Sequence, residues 1–105
     1  GGTLQGKRII GRKTLEFMTA DHTMNRPGRP PGFGFGLGFE VRQRVGDTLQ
    51  AGSAGEYGWS GAAGTVFWID PKEQLYAIYM IQANEADTRY LRTQFRSMVE
   101  AALID

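Results

Sequence analysis

From Gly32 to Arg44 the chain alternates with a strict period of two: Phe33, Phe35, Leu37, Phe39 and Val41 fall between Gly32, Gly34, Gly36, Gly38 and Glu40. Successive side chains of a β-strand point to opposite faces, so this run predicts a strand over 33–44. Its large apolar groups should share one face and leave the other almost bare. A bare glycine face implies either a closely approaching backbone or an open surface. Further strands are predicted over 56–60 and 64–70, separated by the small residues Ser60-Gly61-Ala62-Ala63. A fourth, over 75–83, follows the turn signal Asp70-Pro71-Lys72-Glu73. Leu75 to Gln82 is apolar at both parities, which reads as a central strand covered on both sides.

Helical spacing flanks these strands. Thr14-Leu15-Glu16-Phe17-Met18 predicts a short helix over 12–20, and three prolines and two glycines in Asn25-Arg26-Pro27-Gly28-Arg29-Pro30-Pro31-Gly32 predict a loop over 23–32. The segment 87–103 places Tyr90, Leu91, Phe95, Met98, Val99, Ala102 and Leu103 on one stripe, with Arg89, Arg92 and Arg96 opposite as a solvated face. Asp87 is the expected N-cap. The order of elements predicts one α+β domain over 1–105: an antiparallel sheet of three to four strands with a C-terminal amphipathic helix packed on it.

Composition narrows the function classes. With 41% apolar and 22% charged residues, the chain matches a globular domain rather than a disordered one. A net charge of +1 gives no electrostatic reason for a nucleic-acid or membrane partner. Cysteine is absent, which removes disulfides, thiolate metal sites and a thiol nucleophile, and leaves the compartment open. The longest apolar run, Leu75 to Ile81, is too short to span a bilayer.

Local motifs carry little chemistry by themselves. Gly58-Trp59-Ser60-Gly61-Ala62 nearly spells a G-x-S-x-G nucleophile elbow, but that motif needs a helix after it and a later histidine. A strand is predicted there, and His22 is the chain's single histidine. The glycines of 32–38 lack the spacing of a dinucleotide fingerprint. His22 with Asp21 and Glu16 is a weak basis for a metal site, and the two carboxylates read as surface charges. Neither a metal nor a cofactor is expected. Trp59, Phe67 and Trp68 suit either ligand stacking or a sheet core.

Taken together, Gly55-Glu56-Tyr57-Gly58-Trp59-Ser60-Gly61-Ala62-Ala63-Gly64-Thr65-Val66-Phe67-Trp68-Ile69-Asp70-Pro71 resembles the third motif region of the serine β-lactamase and penicillin-binding protein superfamily. It is most similar to the β-lactamase-like esterase branch, where a tryptophan-glycine-glycine triplet replaces lysine-threonine-glycine. Gly1 to Thr14 resembles the segment leaving that family's helical region, and Phe33-Gly34-Phe35-Gly36-Leu37-Gly38-Phe39 resembles its "YGLGF" strand. The likeness runs through essentially the whole chain in the family's order. It implies a partial β-lactamase/transpeptidase-like fold and the C-terminal part of a hydrolase that cleaves esters or β-lactams through an acyl-serine.

By that resemblance Trp59, Ser60 and Gly61 line the substrate cleft, and the backbone N–H of Ala62 is one of two oxyanion-hole donors. Trp59 stands where many relatives carry lysine. No catalytic nucleophile or base is expected in this chain: Ser-x-x-Lys is absent, since Ser53 is followed three residues on by Glu56, Ser60 by Ala63 and Ser97 by Glu100, and Tyr-x-Asn is absent too. The chain alone is therefore expected to be inactive. In the family, an earlier strand flanks the one matching Leu75 to Gln82. Without it that strand is an apolar edge, and two chains are expected to meet there as a homodimer. The competing expectation is a free-standing, self-associating binding domain without turnover, and a third is a domain that caps or complements a separate catalytic chain.

Overall fold

The computed structural model describes the backbone of residues 1–105 and all side chains other than those of Glu85 and Ala86. A small hairpin of β1 (Thr3–Leu4) and β2 (Lys7–Arg8) opens the chain, followed by α1 (Arg12–Met18). Gln5 and Gly6 both have positive φ, 48° and 77°, as a two-residue hairpin turn requires. The main sheet holds β3 (Phe33–Phe35), β4 (Glu40–Arg42), β5 (Tyr57–Ser60), β6 (Val66–Asp70) and β7 (Leu75–Tyr79), in chain order and antiparallel throughout. Helix α2 (Glu85–Ala101) closes the fold. The α+β class is as expected; the main sheet has five strands rather than three to four.

The extra strand comes from the glycine-rich run, which is a hairpin and not one strand over 33–44. The chain reverses at Gly36-Leu37-Gly38, with the Gly36 N–H bonded to Phe39 O at 2.8 Å and Gly38 at φ 96°. Cross-strand partners share a face, so pairing Phe33 with Arg42 and Phe35 with Glu40 puts those phenyl rings beside charged groups, while Val41 sits with Gly34. The single apolar face expected from the alternation is thereby split. The bare glycine positions are filled by backbone and loop from the end of α1. A Cβ on Gly36 would lie 2.1 Å from Met18 O, and one on Gly34 would lie 2.2 Å from Asp21 Oδ1.

Strand β7 is an edge strand, not a central one. Its two apolar faces have different causes. Ala77 and Tyr79 lie under α2, whose Phe95 ring stacks on Tyr79 at 4.7 Å and meets Trp68 edge-on at 5.7 Å. Tyr76 and Ile78 point to the opposite face and are 73% and 59% exposed. Trp59, Phe67 and Ile78 are cross-strand neighbours on that same open face. The strand ends at Tyr79 rather than 83, and β6 begins at Val66 rather than 64 because Gly61 to Thr65 form the turn.

Helix α2 is also rotated relative to the stripe predicted for it. Tyr90 and Met98 are exposed, whereas Thr88 is buried and Arg92, Phe95 and Arg96 face the sheet and its loops. The helix starts at Glu85, and its N-cap is Asn84 in extended conformation (φ −67°, ψ 149°) instead of Asp87, whose N–H already bonds Asn84 O at 3.0 Å. The arginines turn inward because the groups waiting there are carbonyls and a carboxylate, which guanidinium forks satisfy better than alkyl groups do.

Candidate functional site

Strand β5 carries Trp59 and Ser60 of the triplet, and Gly61 follows at the start of the turn. Its ladder with β4 covers Tyr57 and Gly58, while its ladder with β6 continues to Ser60. The second half of β5 therefore borders a concavity on the β4 side. Gly58 is needed where the strands are closest, since a Cβ there would lie 2.1 Å from Phe67 O. Beyond Ser60 the chain turns tightly, with the Gly61 N–H bonded to Thr65 O at 2.9 Å and the Gly64 N–H bonded to Gly61 O at 3.1 Å. Gly64 has φ 104°, and a Cβ on it would press on Ile81 and Thr88 at 2.9 and 3.0 Å.

Ala62, in the middle of this turn, is exposed. Among the described residues its N–H has no hydrogen-bond partner, and β6 follows it rather than a helix. The strand–turn–strand context removes the nucleophile-elbow reading of Ser60, which requires a strand running into a helix.

Three concavities meet at Ser60. One of about 230 Å³ is bordered by Arg29, Phe33, Glu40, Trp59 and Ser60. A second of about 530 Å³ runs from Ser60, Gly61 and Ala62 to Arg89, Arg92 and Arg96. The third, about 300 Å³ and almost wholly apolar, lies on the open face among Trp59, Phe67, Ile78 and Met80. Trp59 is 45% exposed; Phe35 meets its ring edge-on at 5.2 Å, and the Arg29 guanidinium lies over it at 5.5 Å while pairing with Glu40. Trp68, by contrast, is buried beneath α2, and Phe67 packs against Phe39. Of Trp59, Phe67 and Trp68, Trp59 alone is exposed.

Behind the triplet lies a buried ion cluster. Arg42 Nε donates to Glu56 Oε1 at 3.0 Å, and its terminal nitrogens donate to Gln50 O at 2.8 Å and Ala51 O at 3.2 Å. Arg96 donates to the same Glu56 oxygen and, through Nε, to Ala51 O at 3.0 Å, with its guanidinium 4.5 Å from the Trp68 ring. Both charges of the Arg42–Glu56 pair are almost fully removed from water. Gly52 is compelled by this packing, because its Cβ would lie 2.4 Å from Glu56 Oε2. Burial holds the Arg96 guanidinium below its ordinary pKa, with Glu56 acting in the opposite direction. Burial also raises the Glu100 carboxyl, against the pull of Arg96 at 3.7 Å. The cluster ties β4, the 50–55 loop, the start of β5 and α2 together. It is not legible in the sequence, because Glu56 and Arg42 carry no periodic signal and Arg96 lies on the helix face that periodicity assigns to solvent.

His22 is tied to the fold as well. Its Nε2 lies 2.7 Å from Phe17 O, its ring meets Phe17 edge-on, and its N–H bonds Phe35 O at 2.8 Å. Asp21 accepts hydrogen bonds from the Thr23 hydroxyl and N–H, which hold its carboxyl below the ordinary range, and from the Phe35 N–H. Glu16 is paired with Arg12 and Lys13. Among the described residues no group of three or more His, Cys, Asp or Glu side chains is placed to hold a metal, and no helix is long and apolar enough to cross a membrane.

A model of the Beta-lactamase family matches residues 2–98. No curated relative matches the chain.

Proposed function

The chain belongs to the Beta-lactamase family, and from that membership we propose that it forms one wall of an acyl-transfer site that cleaves esters or β-lactams through an acyl-serine. The attacking serine and its lysine base come from a Ser-x-x-Lys segment outside these 105 residues. This chain contributes the Trp59-Ser60-Gly61 rim and the Ala62 N–H. When the serine adds to a carbonyl carbon, negative charge collects on the carbonyl oxygen, and a donor already aimed at that oxygen lowers the barrier without reorganising. The observation that carries the reading is the N–H of the exposed residue Ala62, which has no partner among the described residues, on a braced turn directly after the triplet. Small side chains at 61–63 let a substrate approach the backbone. At 59, the indole offers an apolar surface in place of a charge, which favours neutral acyl or alkoxy groups over a substrate carboxylate.

Turnover of a chromogenic ester and a chromogenic cephalosporin tests this. The chain alone should release no product, and mixing with an N-terminal polypeptide that bears Ser-x-x-Lys should restore release. Hydrolysis by the chain alone would refute the division of labour.

A second reading concerns self-association. Strand β7 has a ladder partner on one side, and Tyr76, Ile78 and Met80 beside it are exposed. Such an edge pairs readily with another strand, and the proposal is a homodimer through the region from Leu75 to Gln82.

A further inference from the structure

Arg92 reaches from α2 onto the turn between β5 and β6, where its Nε donates to Gly64 O at 3.1 Å and a terminal nitrogen donates to Gly61 O. The two carbonyls stand at the two ends of the turn that carries Ala62. Among the described residues Arg92 has no carboxylate partner, in contrast to Arg96, whose charge is matched by Glu56 and Glu100.

The carbonyl of Gly61 and the N–H of Ala62 belong to one peptide unit. In a planar trans peptide those two bonds point in opposite directions, so a group that fixes the oxygen also fixes the hydrogen, aimed away from itself. A charged donor on the carbonyl further draws electron density from the amide and strengthens its N–H as a donor. Gly61 O also accepts the Gly64 N–H, so the peptide is held by two donors at one end. We infer that Arg92 is a positioning residue that aims and polarises the Ala62 N–H. The inference rests on the reading of that N–H as an oxyanion donor. Lysine would keep the polarising charge but not the aim, because a single ammonium lacks the planar fork that spans both carbonyls.

An arginine that merely glued α2 to the sheet would be read in the melting temperature alone, whereas one that aims and polarises the Ala62 amide is read in the acidity and the resonance of that amide as well. Base-catalysed hydrogen exchange of the Ala62 N–H, read by NMR on the ¹⁵N-labelled chain, separates the two roles. In Arg92→Gln the Ala62 rate should fall about threefold, the factor expected when a unit charge roughly 6 to 7 Å away is removed at the dielectric of water. Arg92→Lys should recover most of the rate while still shifting the Ala62 resonance. Arg89→Gln, which alters the same cavity without touching the turn, should change neither. An Ala62 rate that is unchanged in a folded Arg92→Gln overturns the inference. Should that variant fail to fold, Arg92→Lys decides by itself: an unmoved Ala62 resonance overturns the proposal. The measurement needs no turnover, so its failure leaves the acyl-transfer reading standing, and absence of hydrolysis in the mixing experiment leaves the Arg92 result standing.

Discussion

At the scale of single residues, the glycines and the buried charges of this chain carry the constraints that hydropathy does not. Gly36 abuts the Met18 carbonyl, a backbone atom that has no rotamer through which to withdraw. Gly36→Ala is therefore expected to cost about 1 to 3 kcal/mol in urea denaturation, whereas Gly46→Ala, with no atom within 4 Å of the new Cβ, should stay within about 0.5 kcal/mol. The alternation of glycines made a close approach legible in the sequence; which segment approaches was not, because nothing in 18–21 marks it as a partner for 34–36. Titration adds a second expectation. Burial raises the folded-state pKa of Glu100 above its ordinary value of 4.5, so the folded chain binds that proton more tightly than the unfolded one. Its contribution to stability is present at low pH and is lost as pH rises from 4.5 through the raised value. The urea midpoint of Glu100→Gln should accordingly gain on that of the unaltered chain over this interval, and a parallel pH dependence for the two proteins would contradict the assignment.

At the scale of elements, strands 5 to 7 and the terminal helix were readable because period and turn chemistry agree there, with Asp70 Oδ1 accepting the Lys72 and Glu73 N–H groups in the expected turn. The β3–β4 hairpin was not, since a glycine alternation keeps period two straight through the reversal and so conceals it. The orientation of α2 was hidden for another reason. Its sheet-facing side includes Arg92 and Arg96, and an amphipathic rule that sends charge to solvent inverts such a helix. The partners that make burial tolerable, Glu56 and the carbonyls of Ala51, Gly61 and Gly64, lie some 30 to 45 residues away in sequence. Removing Glu56 should show how much those elements depend on it. Glu56→Gln leaves Arg42 without its carboxylate and Arg96 with Glu100 alone, and is expected to destabilise the chain by about 3 to 5 kcal/mol by urea titration. A loss below about 1 kcal/mol would mean that the cluster is not what ties β4, β5 and α2 together.

At the scale of the whole molecule, the β6–β7 part of the sheet is covered by α2 on one face and open on the other, whereas the segment 18–21 covers that second face at β3 and β4. Among the described residues the buried apolar side chains are Val41, Trp68 and Ala77, while Trp59, Tyr76, Ile78 and Met80 stay exposed. An open apolar face and an unpaired edge favour association. Light scattering should report a dimer that Ile78→Lys returns to monomer; a monomer at high concentration for the unaltered chain would contradict the proposed homodimer. The candidate site follows the same division. The proposed rim reads as a motif in order along the chain, but the contacts behind it, Arg92 on the turn and Glu56 with Arg42 and Arg96, come from the fold. The most direct test of the acyl-transfer account replaces Ala62 by proline, which removes the N–H, and compares ester hydrolysis after mixing with a Ser-x-x-Lys polypeptide. The account predicts that Ala62→Pro folds, still binds that polypeptide, and loses about 100- to 1,000-fold in turnover. Undiminished hydrolysis would contradict it.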